Sequence, residues 1–556
     1  MRRIWLAFLL MAAGARAQTP IPGLETTLSG GVQITLTSFY ESLPPLGFAP
    51  ILVKIQNRSG QTRSWDFQFV NAAGPGGGSR FTLQQTITVE DQTERTVAVL
   101  VPLVMAGNLP YYYTTIGIRV SGHGIARGEA QFASPFRSGN PPTPFIAMSR
   151  ALALRSWGPV EQALADKKSD LRGSAFEPAL APTDWRGWLG VEIVFISEPE
   201  WQSLPAAARV ALEDWVARGG HLVLCRTTGT IATRSQGLGR VLEARWNGTE
   251  LTPAEAVSLI LSRGDRYLYN DLAEAYTGAW SLKDRVPARP MNAPLIIGFV
   301  VVFAAVVGPL NLFYFAKRER RYRLFWTTPL ISIGASVVLA GVIVLQDGFG
   351  GWGERLVAVV LLPEQKKEVV FQEQLSRTGV LLSRDFTVTE DLFLTGLALS
   401  SSESAVARRL EQTGRTYDGD WFASRSWRGQ YLETVRPSRA RVELVATDPP
   451  AIVSSIGVPL REFRYQDERG LFWGADDVSA GVRTVLQRAP DADMRYLERS
   501  YVGEQLRRFG NRPGHFSAVA ATDKDVALAT LPAIKWKKTT VIFCGPVSKV
   551  TGEARP

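Results

Sequence analysis

The sequence predicts a multidomain α+β membrane protein: two β-rich regions, a small doubly wound α/β domain between them, and a transmembrane helical hairpin. Three observations carry this. Two apolar runs, residues 294–315 and 325–345, flank a short basic loop. Hydrophobic residues alternate with a period of two through much of 28–136. Between residues 190 and 262 the rhythm changes to strand, helix, Gly-Gly and strand. At 556 residues the chain is also too long for one hydrophobic core.

The N-terminus comes first. Arg2 and Arg3 precede an apolar stretch at 4–13, and Ala15-Arg16-Ala17 stands before Gln18. This is the pattern of a secretory signal peptide over residues 1–17. An uncleaved signal anchor is the alternative.

Residues 28–136 read as an immunoglobulin-like β-sandwich. Ile51, Val53 and Ile55 share one face, and so do Trp65, Phe67 and Phe69, Val97, Val99 and Val101, and Ile116, Ile118 and Val120. About seven short strands punctuated by Asn57-Arg58-Ser59-Gly60 and the glycine-rich run 74–78 fit that fold. Residues 137–143, RSGNPPT, read as a linker.

Residues 144–280 read as the α/β domain. GVEIVFIS at 190–197 is a continuous apolar strand of the parallel-sheet kind. A helix follows from Pro205, with Val210, Leu212, Trp215 and Val216 as its apolar stripe. Gly219-Gly220 ends it, and HLVLC is the next strand. A second strand and helix, Gly239–Arg245 and Pro253–Ser262, repeat the unit. Ligands of such sheets bind outside the carboxyl ends of the strands. Arg226, Thr227 and Thr228 follow HLVLC there and offer donors to an anion or a partner loop. Ordinary turn chemistry is the plainer reading.

A bilayer core of about 30 Å needs about 20 apolar helical residues. Both runs satisfy this without an ionisable residue. Gly308-Pro309 predicts a kink in the first span. Ala304 and Gly308, and Ser332, Ser336 and Ala340, are small residues at helical spacing. They suit packing of the hairpin on itself or homodimerisation through it. The loop 316–324 holds Lys317, Arg318, Arg320, Arg321 and Arg323 against Glu319. Such a loop stays cytoplasmic, so the N- and C-terminal domains face outward.

Residues 352–546 read as a β-rich mixed domain. RLVAVVLLP, EVVFQ, ARVELVA and TTVIFCG look like strands, and 407–412 and 493–508 look like helices. Its notable stretch is 418–441, where Arg425, Arg428, Arg436, Arg439 and Arg441 interleave with Trp421, Phe422, Trp427 and Tyr431. Arginine forks bind carboxylate or phosphate, and aromatic faces stack on sugars or guanidinium groups. Arg425, Trp427 and Arg428 are therefore candidate ligands for an anionic glycan or lipid. A strand face with internal arginine–aromatic stacking is the alternative.

The stretch VEIVFISEPEWQSLPAAARVALEDWVARGGHLVLCRTTG resembles the core of class I glutamine-amidotransferase-like domains. Sandwich, α/β domain and a hairpin reading GPLNLFYFAKRERRYRLFWTTP together resemble bacterial envelope membrane proteins built in that order. The resemblance implies a bacterial envelope protein; with the two-pass topology, the expected location is the bacterial inner (plasma) membrane with periplasmic domains, or the outer surface in a single-membrane cell. Amidotransferases set a nucleophilic cysteine between glycines on a strand-to-helix turn, with a histidine base further on. Cys225 stands near that place, but Val223 and Thr227 replace the glycines, and no histidine occurs from 226 to 290. A thiol without a base stays protonated at neutral pH. The resemblance thus implies a catalytically degenerate domain.

Composition narrows the rest. The formal net charge is +10, but the loop carries +4 and the first residues +2. No strongly basic domain remains, which argues against nucleic-acid binding. Cys225 and Cys544 are the two cysteines, both ending apolar strand-like runs. Two buried thiols are expected; a single bridge between them is the alternative. His123, His221 and His515 share no ligand spacing. No metal motif or cofactor loop appears, so no cofactor is expected. The expected role is a non-enzymatic binding or scaffolding protein of the envelope, with the lipid bilayer and other envelope proteins as partners. The alternatives are a sensor of anionic glycan or lipid through 418–441, and an envelope enzyme using Cys225.

Overall fold

The computed structural model describes residues 19–21, 23–26, 30–73, 79–104, 111–137, 144–227, 233–262, 272, 276–288, 293–315, 321–399, 408–490, 500–510, 512–523 and 525–549. The expected signal peptide, the linker from residue 138 onward, most of the basic loop, and Thr228 lie outside these residues.

Alternation in the N-terminal region produces two sheets that share a core. The smaller orders Thr19–Pro20, Val32–Ser38, Gly47–Asn57 and Thr93–Leu103 side by side. The larger contains Arg80–Val89, Arg63–Ala73, Tyr111–Ser121, Ile125–Arg137 and Leu24–Thr26. Ile51, Val53, Trp65, Phe67, Phe69, Val99, Val101, Ile116 and Ile118 fill the space between them.

The larger sheet does not end with N-terminal residues. Arg409–Thr413 pairs in parallel with Arg80–Val89, and Thr416–Gly419 and Phe386–Thr387 follow it. This corrects the helix expected at 407–412. The segment RLEQT has ordinary helix formers, but an unpaired strand edge competes for it. Leu410 is buried against that sheet while Arg409 stays exposed. Tertiary pairing overrides local preference.

The central region is a parallel sheet, ordered Arg172–Phe176, Phe145–Ser149, Ile193–Ser197, His221–Arg226 and Gly239–Arg245. Thr233–Gln236 adds an antiparallel edge. Helices Arg150–Ala165 and Pro253–Ser262 cover one face through Leu152, Val160, Leu164, Val257 and Ile260. Helix Ala206–Ala217 covers the other through Leu212, Trp215 and Val216. Gly220 allows that helix to return to the sheet, because a Cβ there would meet the Trp215 ring at 2.3 Å.

Two helices are long and apolar enough to cross a membrane, Ala293–Phe315 and Arg321–Asp347. The first changes from α to π winding at Val306–Phe315, around Pro309. Proline removes a ladder hydrogen bond, and the wider turn absorbs the clash. Asn311 is buried within the hairpin, and its Nδ2 donates to Thr328 Oγ1 at 3.0 Å. The close approach thus runs through Asn311. A Cβ placed on Gly308 would touch nothing within 4 Å.

The C-terminal region is built on long strands. Gly351–Leu362 lies between Lys367–Thr378 and Ile534–Lys549, and Trp427–Pro437 continues beyond Lys367–Thr378. Helix Tyr501–Gly510 overlaps the expected 493–508 and runs two residues past it; residues 491–499 are outside the described set. One face of this sheet joins a core shared with the α/β domain and with Phe39, Tyr40 and Phe48 of the N-terminal region. The three regions therefore meet in one continuous apolar core.

Candidate functional site

The parallel register brings Ser149, Ser197, Arg226 and Arg245 to one edge of the α/β sheet. Glu200 occupies the crevice they form. Its Oε2 accepts from Ser149 Oγ at 2.5 Å and from Ser197 Oγ at 2.6 Å, and its Oε1 accepts from the Ala151 amide at 3.0 Å. Ser197 and Glu200 have capping-box spacing, and the Ala151 amide is an N-terminal donor of the neighbouring helix Arg150–Ala165. The carboxylate thus fills the place where an anionic ligand would otherwise meet that helix dipole.

Arg226 is engaged in the same way. Its Nε lies 3.3 Å from Glu198 Oε1 and its Nη1 2.8 Å from Glu243 Oε1. Thr227 is exposed on the following turn. Cys225 is fully buried among Ile193, Phe195, Val223 and Val257. Burial, reinforced by the Glu255 and Glu200 carboxylates, pushes its thiol well above the usual range. His221 begins the strand that Cys225 ends, four residues away. The thiol is set for packing, and the charged groups that act on it are carboxylates, which oppose its ionisation. Cys544 is likewise a buried free thiol.

Residues 418–441 join neighbouring elements through buried aromatic rings and through arginines that are partly or largely exposed. Arg425 adopts φ +57° and its Nε lies 2.6 Å from Asp347 Oδ2, at the end of the second apolar helix. Trp427 Nε1 donates to the Val286 carbonyl at 2.7 Å. Arg428 is half-buried opposite Ser376 in the ladder. Trp421, Phe422 and Tyr431 are buried, so their faces are committed to the core. Arg436 binds Glu368 at 2.5 Å and Glu390 at 3.2 Å.

Two buried carboxylates join this sheet to its neighbours. Glu433 is paired with Arg218 of the α/β domain and accepts from Tyr431 Oη at 2.9 Å. Glu373 accepts from Tyr276 Oη at 2.9 Å and Trp280 Nε1 at 3.2 Å. Burial raises the Glu373 carboxyl from 4.5 to about 7, against the hydrogen bonds from Ser500, Trp280, Tyr276 and the Val502 amide. Its position between regions makes it a fastening group, distant in role from a solvent-facing acid.

Sequence reasoning missed a cleft where all three regions meet. A cavity of about 350 Å³ is lined by Phe48 and residues 97–100, by Asp184 and Arg186, and by Glu390, Asp391, Arg415 and Tyr417. Arg186 Nη2 lies 2.5 Å from Asp184 Oδ2 and 3.3 Å from Asp391 Oδ1, with its guanidinium carbon 5.7 Å from the Phe48 ring centroid. Arg415 Nη2 lies 3.5 Å from Asp391 Oδ1. Glu390 Oε2 is buried, with no hydrogen-bond partner among the described residues. Burial pushes Tyr417 to about 12, with Arg186 opposing and Asp391 adding. These residues come from separate segments, and no spacing rule connects them. Among the described residues, no cluster of His, Cys, Asp or Glu could hold a metal ion.

No family model and no curated protein matches the chain. Among the solved structures that align with it are two at 11% identity. One is a calcium-binding mutant of Bacteroides uniformis β-glucuronidase 2, covering 44% of this chain and 32% of that one, with a TM-score of 0.15. The other is a Bacteroides fragilis protein assigned as a β-galactosidase, covering 94% and 74%, with a TM-score of 0.18. The chain thus spans about a third of the first protein's length. At these scores neither alignment carries an argument about fold or function.

Proposed function

We propose that this chain is a two-pass protein of the bacterial inner membrane that binds or scaffolds other envelope proteins and performs no catalysis of its own. In this reading the N-terminal sheets form an immunoglobulin-like sandwich, and the α/β unit is a degenerate amidotransferase-like domain. The basic loop faces the cytoplasm. The observation that carries the proposal is the state of the strand-end crevice. The protein's own Glu200, Glu198 and Glu243 engage the donors there, and Cys225 is buried away from it. A preformed polar cleft at a junction of regions is, by contrast, the setting in which ligands and partner segments commonly dock.

The test is photo-crosslinking of the full chain in its native membrane, followed by identification of the adducts, alongside a Cys225→Ser variant. Reproducible protein adducts and undiminished cellular function of Cys225→Ser are expected. Adducts no different from those of an unrelated two-pass protein would refute the scaffold reading. Loss of function in Cys225→Ser at unchanged abundance would favour the enzyme reading.

A further inference from the structure

One wall of the cleft at the three-region junction is contributed by an edge strand. Residues 97–100 of strand Thr93–Leu103 line it, and this strand is the edge of its sheet. The direction of its free groups follows from the register. Pro50 gives its carbonyl to the Phe39 amide, on the side away from Thr93–Leu103. Leu100 is directly opposite Pro50. In an antiparallel pair, a residue whose groups point away faces a partner whose groups also point away. Leu100 therefore turns its N–H and C=O outward, and so, by the period of two, do Ala98 and Thr96. Pro102 is next in that series and has no N–H to leave unpaired. Thr96 and Ala98 are exposed, and among the described residues no backbone partner is present on that side.

Charge selects what this edge would accept. The charged side chains lining the cleft are Asp184, Glu390 and Asp391 against Arg186 and Arg415, and behind them Arg436 is shared between Glu390 and Glu368. One negative charge is left over. Among the described residues Glu390 Oε2 has no donor, while Arg436 holds its Oε1. A buried acceptor left unmade is costly, so a donor arriving there is favoured.

We propose that an extended segment of a partner protein carrying a lysine or arginine adds as a strand to Thr96, Ala98 and Leu100, with its cation reaching Glu390. Main-chain hydrogen bonds supply the affinity and the carboxylate supplies the selection. The apolar side of the edge is already spent, since Val99 and Val101 face the sheet core and Leu100 packs on the shared core. The segment therefore needs little hydrophobic character beyond strand propensity. This rests on the binding role proposed above and narrows it to one surface and one partner chemistry.

The test uses the full chain in detergent micelles and capped hexapeptides that alternate Thr and Val, with Lys placed at each position in turn. Fluorescence anisotropy reports binding. Ala98→Pro removes an outward N–H at an edge position, where proline is compatible with the fold. At least one lysine peptide is expected to bind, and Ala98→Pro should weaken it about tenfold, the effect of one lost hydrogen bond. The thermal unfolding profile should be unchanged. N-methylation of alternate peptide amides should weaken binding of the unaltered protein by a similar factor. Replacing Lys by norleucine should weaken it severalfold.

Absence of binding across the set, equal binding by Ala98→Pro, or equal binding of the N-methylated peptide would each overturn the proposal. The peptide arm stands even if the variant misfolds. If crosslinked partners persist unchanged in Ala98→Pro, this surface is refuted and the scaffold reading stands. If the unaltered protein has no partners, the scaffold reading itself fails.

Discussion

Glu373→Gln should remove a pH dependence that the native junction carries. The carboxyl has an ordinary value of 4.5 and is raised to about 7 in the fold. Between those values the folded protein holds a proton that the unfolded chain has released. Its contribution is therefore fully present below about pH 4.5 and is lost as pH rises through about 7. The displacement corresponds to about 3 kcal/mol, at about 1.4 kcal/mol for each tenfold change. Glutamine keeps the shape but cannot ionise. Its amide has one acceptor oxygen where the carboxyl had two, so the donors Tyr276, Trp280, Ser500 and the Val502 amide are no longer all served. The variant should thus be less stable than the native protein at pH 5, and the gap should narrow by up to about 3 kcal/mol by pH 8. Thermal unfolding of the full chain in detergent, read as the difference between the two proteins at each pH, measures this. A difference that stays constant from pH 5 to pH 8 would refute the reasoning, because it would mean that Glu373 keeps the same protonation state folded and unfolded.

Arg218→Ala should destabilise the contact between the α/β and C-terminal regions by about 3–5 kcal/mol, because it strands the buried Glu433 carboxylate. Limited proteolysis should then cleave between residues 226 and 350 at protease levels that leave the native chain intact. Asn311→Leu removes the hydrogen bond to Thr328 and should cost the hairpin about 0.6 kcal/mol. In a double-mutant cycle, Thr328→Val should add little once Asn311 is replaced.

The sequence made some elements legible because one local rule decided them. The two long helices follow from apolar runs without charge, and Gly219-Gly220 marks the turn between helix Ala206–Ala217 and strand His221–Arg226. Gly351–Leu362 and Lys367–Thr378 are continuous or alternating apolar strands that a period count finds. Arg409–Thr413 is different. Its five residues are mostly polar, and what makes them a strand is an edge more than three hundred residues earlier. Glu200 was hidden for a related reason: an acid in a first helical turn reads as solvated, and its two serine donors belong to different strands. In the arginine-rich stretch, sequence shows side chains without their neighbours; in the structure Arg425 meets Asp347, and Arg436 meets Glu368 and Glu390.

The parallel pairing of Arg409–Thr413 with Arg80–Val89 bears on how the chain reaches its native state. When the N-terminal sheets are first made, the partner of residues 80–84 has not yet been synthesised. Both long apolar helices must be completed before it exists. During that interval an open strand edge is presented to everything nearby, a hazard for self-association. Pairing over such a separation also carries a large loop-closure cost, so maturation of the first region should be slow and coupled to the last. A chain cut short after the hairpin would keep its early strands but lack the segment that closes the edge.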